Sequence, residues 1–182
     1  HEARTALAAH GVKVEGVTLD LPVMLKRKDQ VVTDLTRGVE MLFKKNKVTR
    51  YAGHGRIAGP GRVVVTGADG ATVAELQAKQ IMIATGSKPR PLPIPGAELM
   101  ITSDEMLGER DMPASVIFVG GGVISLEFGH VYARAGAEVT ILEALPQLLP
   151  EMDTDAVACL QAESEGIGIQ IMTAVSVKRI KK

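Results

Sequence analysis

Between Pro22 and Lys47 the apolar residues Val31, Leu35, Val39, Leu42 and Phe43 recur every three or four positions, with Lys and Asp between them. That spacing lays them along one stripe of a helix, and the closing KKNK sets cations where the helix dipole favours them. The period then changes. VTRYAGHGRI (48–57), RVVVT (62–66) and TVAELQ (72–77) are β-type runs, punctuated by Gly-Pro-Gly at 59–61 and by GADGA at 67–71. A hairpin about Asp69-Gly70 is therefore expected. QIMIATG (80–86) is apolar almost without interruption up to its glycine, which predicts a strand buried on both faces. Ahead of these, EARTALAAHG (2–11) has the alanine content and glycine stop of a helix end, and VKVEGVTLDL (12–21) reads as extended.

SKPRPLPIPGAE (87–98) carries a proline at nearly every second position. Proline fixes φ and removes an N–H donor, so this stretch is expected to be extended and outside any sheet interior, and a domain boundary falls here. Beyond it ASVIFVGGG (114–122) reads as strand and glycine turn, VISLEFGHVYARAG (123–136) as helix, and AEVTILEAL (137–145) as a second strand. A helix from Asp153 to Glu165, with Asp153 or Thr154 as its cap, leads to a third strand, IGIQIMT (167–173). The alternation β-α-β-α-β implies a parallel, doubly wound α/β sheet. The expected domains are 1–88, a linker at 89–112, and 113–182.

Composition removes several classes of function. With 21 basic and 21 acidic residues the formal net charge is zero, which offers no basic stripe to a nucleic acid. Apolar runs such as QIMIA and SVIFV fall far short of the roughly 20 residues a membrane span needs, so a protein without membrane spans is expected. The lone Cys159 excludes an internal disulfide or a CxxC pair, and within VACLQAE it reads as a small buried hydrophobe. His130 within its helix reads as structural or solvated, His54 lies in a Gly-flanked loop, and His1 and His10 carry no motif; no metal site is expected. Asp104-Glu105 and Glu109-Arg110-Asp111 read as solvated charge on a short helix and linker, and the basic end at 178–182 receives no function.

The chemistry concentrates in FVGGGVISLEFG (118–129). Against G-x-G-x-x-G, Gly120 and Gly122 fill the first two positions and Ser125 stands at the third. Gly120 permits the tight turn, Gly122 lets a pyrophosphate approach the backbone at a helix N-terminus, and Ser125 is small enough for close helix–strand packing. Glu143 lies 21 residues after Gly122 at the end of the second strand, where a carboxylate accepts hydrogen bonds from an adenosine ribose. A carboxylate there repels a 2′-phosphate, so NAD is favoured over NADP, and Glu143→Arg is expected to move preference toward NADP. Without such a ligand, the same residues make a glycine-rich turn with an acid capping a strand.

FVGGGVISLEFGHVYARAGAEVTILE resembles the NAD domain of the flavin-dependent pyridine nucleotide–disulfide oxidoreductases, and IATGSKPRPLPIPG resembles their FAD-domain exit and interdomain strand. LPVMLKRKDQVVTDLTRGVEMLFKKNKV followed by GHG is most similar to the dihydrolipoamide-oxidising branch of that family. The resemblance covers essentially the whole chain. It implies two FAD/NAD(P)-binding, Rossmann-like domains, both incomplete. Gly55 would touch the adenosine part of FAD, and Thr85, Gly86 and Ser87 would close over the flavin nucleotide. Gly120, Gly121, Gly122, Val123, Ile124, Ser125, Leu126 and Glu127 would hold the pyrophosphate and nicotinamide side of NAD, Glu143 its ribose, and Val175 the adenine edge. Val123 matches the position beside the flavin where some relatives carry a tyrosine gate. Glu127 matches a glutamate near the flavin N5 that pairs with a lysine; without the resemblance it is an ordinary helix-surface carboxylate.

The resemblance also implies parts that this sequence does not contain: a first FAD glycine motif, a C-x4-C redox disulfide and a His–Glu acid–base pair. An internal fragment is therefore expected, with no catalytic residue of its own. For the whole enzyme the resemblance implies FAD and NAD as cofactors and a small-molecule or lipoyl-domain substrate. It further implies a homodimer within a 2-oxoacid dehydrogenase complex, in the bacterial cytoplasm or the mitochondrial matrix. A sister reductase, such as one acting on mercuric ion, and a non-catalytic dinucleotide-binding module remain the alternatives.

Overall fold

The computed structural model describes Ala3 and residues 6–181. Two compact units emerge, Arg27–Lys88 on the one hand and the chain from Pro89 together with the segment through Lys26 on the other. His1 and residues 2, 4 and 5 of the expected first helix lie outside the described residues, as does Lys182 of the basic end. Leu7–His10 form a 3-10 turn that ends at Gly11 with φ 76°. Helix α1 (Leu21–Lys45) begins where the Asp20 carboxylate accepts the Val23 N–H at 3.0 Å, a side-chain cap for one of the orphan donors of the first turn.

In the unit Arg27–Lys88, strands β1 (His54–Gly59), β2 (Arg62–Thr66) and β3 (Thr72–Gln77) form an antiparallel meander. The β2–β3 turn closes with Gly67 N–H donating to Ala71 O at 2.8 Å and the Asp69 carboxylate accepting the Ala71 N–H at 3.0 Å; Gly70 supplies the left-handed φ of 79°. Val65 is this sheet's buried residue. The apolar stripe of α1 stays at the surface: Val31, Leu35, Val39 and Leu42 are all exposed. QIMIATG differs from its expectation. Residues 80–86 form no strand, and Met82 and Ile83 are 90% and 71% exposed. Apolar character raises the tendency to be a strand, but a strand exists only when a neighbour takes its N–H and C=O groups, and none does so among the described residues.

The other unit holds the parallel sheet. After the proline-rich stretch, a 3-10 turn at Ala97–Leu99 precedes the one-turn helix α2 (Ser103–Met106). Its Thr102–Glu105 capping box uses part of the acidic cluster: Glu105 accepts the Thr102 N–H at 2.7 Å and also the Thr102 hydroxyl. Those bonds hold the Glu105 carboxyl below its usual range. Strands β4 (Ser115–Val119), β5 (Glu138–Leu142) and β6 (Gln170–Met172) then pair in that order, all parallel, joined by α3 (Val123–Ala135) and α4 (Thr154–Gly166). Asp153 occupies the N-cap position of α4 without making a side-chain cap bond.

Alternation along the strands sends Phe118, Val139 and Ile141 into the core with Leu126 and Tyr132 of α3, Val157 of α4 and Ile169. Phe118 and Tyr132 meet edge to face at 6.5 Å. Ile117, pointing the other way, is 65% exposed. Gly129 is the point of closest helix–sheet approach: a Cβ there would lie 3.6 Å from Val139, Ile141 and Ile169. That spacing is ordinary contact for one methyl group and too small for more. Gly129→Ala is expected to stabilise the fold by up to ~1 kcal/mol through helix propensity, and Gly129→Val to destabilise it by about 1–3 kcal/mol through overpacking. Chemical denaturation of both variants checks this order, which a destabilising alanine would refute.

The two helices are tied by a polar pair. Buried Ser164 donates its hydroxyl to Leu160 O at 2.7 Å, which leaves its oxygen to accept from His130 Nε2–H at 2.9 Å. Burial lowers the His130 pKa below its usual 6.5; Arg134 adds to the shift and Glu163 opposes it. The folded chain thus holds the imidazole neutral under conditions in which the unfolded chain protonates it. This contribution to stability is complete above about pH 6.5, declines as pH falls from there to the lowered folded value, and is then constant. Thermal melts between about pH 8 and pH 5 are expected to show this decline in the wild-type chain and a flatter profile in His130→Gln. Equal profiles would remove His130 as the cause.

Candidate nucleotide-binding site

Strand β4 runs directly into the glycines. Gly120 N–H donates to Leu142 O at 2.8 Å, which extends the β4–β5 ladder by one bond, and Gly120 then takes φ 105°, a left-handed value that glycine tolerates. Gly122 is the N-cap of α3 and lends it no side-chain cap. The N–H groups of the first turn therefore face out of the helix as an anion-binding end, and Gly122 has open space where a Cβ would be. Leu126 N–H donates to Gly122 O at 3.2 Å, closing the first helical turn.

Glu143 follows β5 by one residue and is only 8% exposed. Its Oε2 accepts the Gly121 N–H at 2.6 Å and its Oε1 the Leu145 N–H at 2.7 Å. The backbone of Glu143 is held as well: its N–H donates to Met172 O at 2.8 Å, and its carbonyl accepts the Val175 N–H at 2.9 Å. A carboxylate offers about four lone-pair directions, so each oxygen keeps one for a ligand hydroxyl. An uncapped helix N-terminus, a glycine turn without side chains and a rigid carboxylate acceptor together suit a phosphate joined to a ribose.

Gly120, Gly121, Gly122, Glu143 and Val175 are thus brought together. Val123 and Ile124 are exposed on the first turn of α3, Ser125 is half-buried, and Leu126 turns into the core. Glu127 is exposed and has no hydrogen-bonding or ionic partner among the described residues. The close helix–sheet contact assigned to Ser125 is made at Gly129, four residues further along the same helix face. The glycine motif ends at its third position, so no motif position marks Gly129 in the sequence. Cys159 is exposed on α4, not buried: it lies on the side of that helix away from Val157 and Ser164, which face the sheet and α3.

The other proposed cofactor residues are not gathered in the same way. Gly55 lies in β1 opposite Val65, while Thr85, Gly86 and Ser87 lie in an exposed irregular segment with Gly86 at φ 75°. Among the described residues no backbone hydrogen bond joins Gly55 to Thr85, Gly86 or Ser87. Also among the described residues, no group of three or more His, Cys, Asp or Glu could hold a metal ion, and no helix is long and apolar enough to cross a membrane.

Comparison with known proteins agrees with the parallel-sheet geometry. The chain is 42% identical to dihydrolipoyl dehydrogenase 1, mitochondrial, of Arabidopsis thaliana over 155 residues, covering 84% of this chain and 30% of that protein. It is 45% identical to dihydrolipoyl dehydrogenase 3 of Pseudomonas putida over 155 residues, covering 83% and 32%. It is 37% identical to the leghemoglobin reductase of Vigna unguiculata over 181 residues, covering 96% and 34%. The chain therefore spans about a third of the length of these relatives. Among solved structures, the HOCl-induced flavoprotein disulfide reductase RclA from Escherichia coli matches with a TM-score of 0.69 at 26% identity, over 85% of this chain and 35% of that one. The fold is α/β and Rossmann-like. The family described as pyridine nucleotide-disulphide oxidoreductase matches residues 2–182, and with β4, the glycine turn, α3 and Glu143 arranged as they are, the chain belongs to that family.

Proposed function

We propose that the chain supplies the dinucleotide-binding part of a flavin-dependent oxidoreductase of the dihydrolipoamide dehydrogenase type, and that it takes NAD. The observation that carries this is the buried Glu143 carboxylate, fixed at the end of β5 and bonded to the glycine turn at the uncapped start of α3. Gly120–Gly122 and the first-turn N–H groups of α3 would hold the pyrophosphate, Glu143 the ribose and Val175 the adenine edge. Fixed acceptors on Glu143 orient the ribose hydroxyls, and its negative charge disfavours a 2′-phosphate there. When bound, NAD supplies a nicotinamide ring able to accept a hydride. The protein's contribution is to set the direction from which that ring is presented.

FAD is proposed from the family and from the match of Gly55 and Thr85–Ser87 to its motifs. Glu127, exposed on α3, is the proposed supporting residue near the flavin. The single cysteine of the sequence cannot provide a disulfide relay; the family resemblance implies that the redox pair and the acid–base pair lie in other parts of such an enzyme. Dihydrolipoamide or a lipoyl domain as substrate, a homodimer, a 2-oxoacid dehydrogenase complex, and a mitochondrial matrix or bacterial cytoplasmic setting are the accompanying proposals. The relatives' printed names support the dihydrolipoyl substrate, and the plant name supports the mitochondrial setting; the homodimer, the complex and the bacterial cytoplasm rest on the family resemblance. The structural match to the E. coli reductase favours a sister disulfide reductase as the second reading.

Calorimetric titration of the folded chain with NADH and NADPH tests the NAD reading. NADH is expected to bind at least about tenfold more tightly, since one unfavourable charge contact of about 1.4 kcal/mol suffices for that ratio. Equal affinity, or no NADH binding by a folded sample, would overturn it. In the full-length protein, dihydrolipoamide is expected to reduce NAD+; reduction of another disulfide or of mercuric ion in its place would select the second reading.

A further inference from the structure

We infer that Leu148 and Leu149 are positioning residues for the dinucleotide and act through Gly121, an inference that rests on the NAD reading above. Gly121 occupies the unspecified middle position of G-x-G, yet its peptide is the gripped point of the turn. Its N–H is held by Glu143 Oε2 at 2.6 Å, and its carbonyl accepts the Leu149 N–H at 3.1 Å. Leu148, fully buried, places Cδ2 where a Cβ on Gly121 would stand, and such a Cβ would also come 3.2 Å from Glu143 Cβ and Oε2.

The neighbours on either side have one backbone hydrogen bond each and no side chain packed against them. Gly120 and Gly122 have nothing within 4 Å of a Cβ position. Three consecutive glycines carry more backbone freedom than any other tripeptide, so the direction of the α3 N–H groups depends on what fixes the middle one. The segment that does so is itself under backbone strain. Leu149 has φ 44°, in the left-handed region that a leucine rarely adopts, and its carbonyl accepts the Met152 N–H at 2.8 Å. The conformation persists because the burial of Leu148 and the bond to Gly121 hold it. The loop after β5 thus folds back as a hook that sets the pitch of the glycine turn, and it links the carboxylate that receives the ribose to the amides that receive the pyrophosphate.

The test is NADH titration of the full chain and four variants, with circular dichroism establishing that each sample is folded at the temperature used. Gly121→Ala is expected to weaken NADH binding at least about tenfold, because the new methyl displaces Leu148 and Glu143 and the turn loses its preorganisation. Adding Leu148→Ala lets the new methyl take the space of the removed side chain while Glu143 stays crowded, and is expected to recover part of the lost affinity. Leu149→Gly, which relieves the strained φ and keeps the N–H, is expected to bind within about twofold of wild type. Leu149→Val, β-branched and poorly suited to that φ, is expected to bind more weakly. A purely structural role for the hook would move melting temperatures and leave the affinity of the folded protein unchanged.

If the wild-type chain fails to bind NADH, the NAD reading falls and this inference with it. If wild type binds and Gly121→Ala binds equally well, or Leu148→Ala brings no recovery, the inference alone is overturned. Should the Gly121 variants fail to fold, the Leu149 pair decides, and equal affinity of the glycine and valine variants would overturn it.

Discussion

Glu143→Gln is expected to weaken NADH binding about 10- to 100-fold and to lower the melting temperature of the unit that contains the parallel sheet. Both carboxylate oxygens accept backbone N–H groups in a site that is 8% exposed. A glutamine keeps one acceptor but points an NH2 at the other amide, which leaves a buried donor opposed. Such a mismatch costs about 1–3 kcal/mol, and each 1.4 kcal/mol of binding energy is tenfold in affinity. Glu143→Arg goes further. A simple charge argument expects that substitution to move preference toward NADP, but the burial of position 143 alters the expected outcome. The guanidinium would be buried beside two N–H donors that have lost their acceptors, a change of about 3–5 kcal/mol. NADPH binding is therefore expected to fall along with NADH binding, and the fold to weaken. Calorimetry with both dinucleotides, alongside melts of each variant, checks this. An arginine variant that binds NADPH more tightly than wild type with an unchanged melt would show that the carboxylate is dispensable to the turn.

Ile141→Ala is expected to cost about 2–5 kcal/mol, a large part of any single domain's stability. Ile141 is 0% exposed on β5, the central strand, with Phe118 and Ile171 opposite it in the ladders to β4 and β6. Hydrogen bonds on both sides prevent the backbone from moving in, and Gly129 of α3 has no side chain to fill the space, so the cavity would persist. Ile117→Ala provides the control. It lies on the preceding strand with the same chemistry, but it is 65% exposed and is expected to change stability by no more than about 0.5 kcal/mol. Urea denaturation should show a lower midpoint at constant slope for the first variant and little change for the second. Similar losses at both positions would mean that the exposed face of the sheet is more tightly packed than the structure shows.

The β-α-β-α-β order could be read because period and punctuation agreed. SVIFV alternates into a glycine turn, the helix ends at Gly136 with φ 105°, and EVTIL resumes a strand at once. QIMIATG carried an equally strong apolar signal and is not a strand, because composition records burial tendency and not the presence of a neighbour. The stripe of α1 illustrates the same point: its period is helical and its residues form a helix, yet no part of it is buried. In the site, Gly120, Gly122 and Glu143 could be selected from spacing. Gly129, Leu148 and Leu149 could not, because what distinguishes them is a contact made across the fold, such as the bond from Leu149 to Gly121.

Local chemistry therefore determined a good deal by itself. It set the helix stops at glycine, the meander turn at Asp69-Gly70, the parallel α/β class, and the pairing of a glycine turn with an acid one strand later, since each depends on residues near one another in the chain. The tertiary structure alone decided that the acid is a brace as well as a receptor. Glu143 and Gly121 are 22 residues apart and meet only because β4 and β5 pair in parallel register, Val119 beside Leu142, which brings the ends of both strands to the same edge of the sheet.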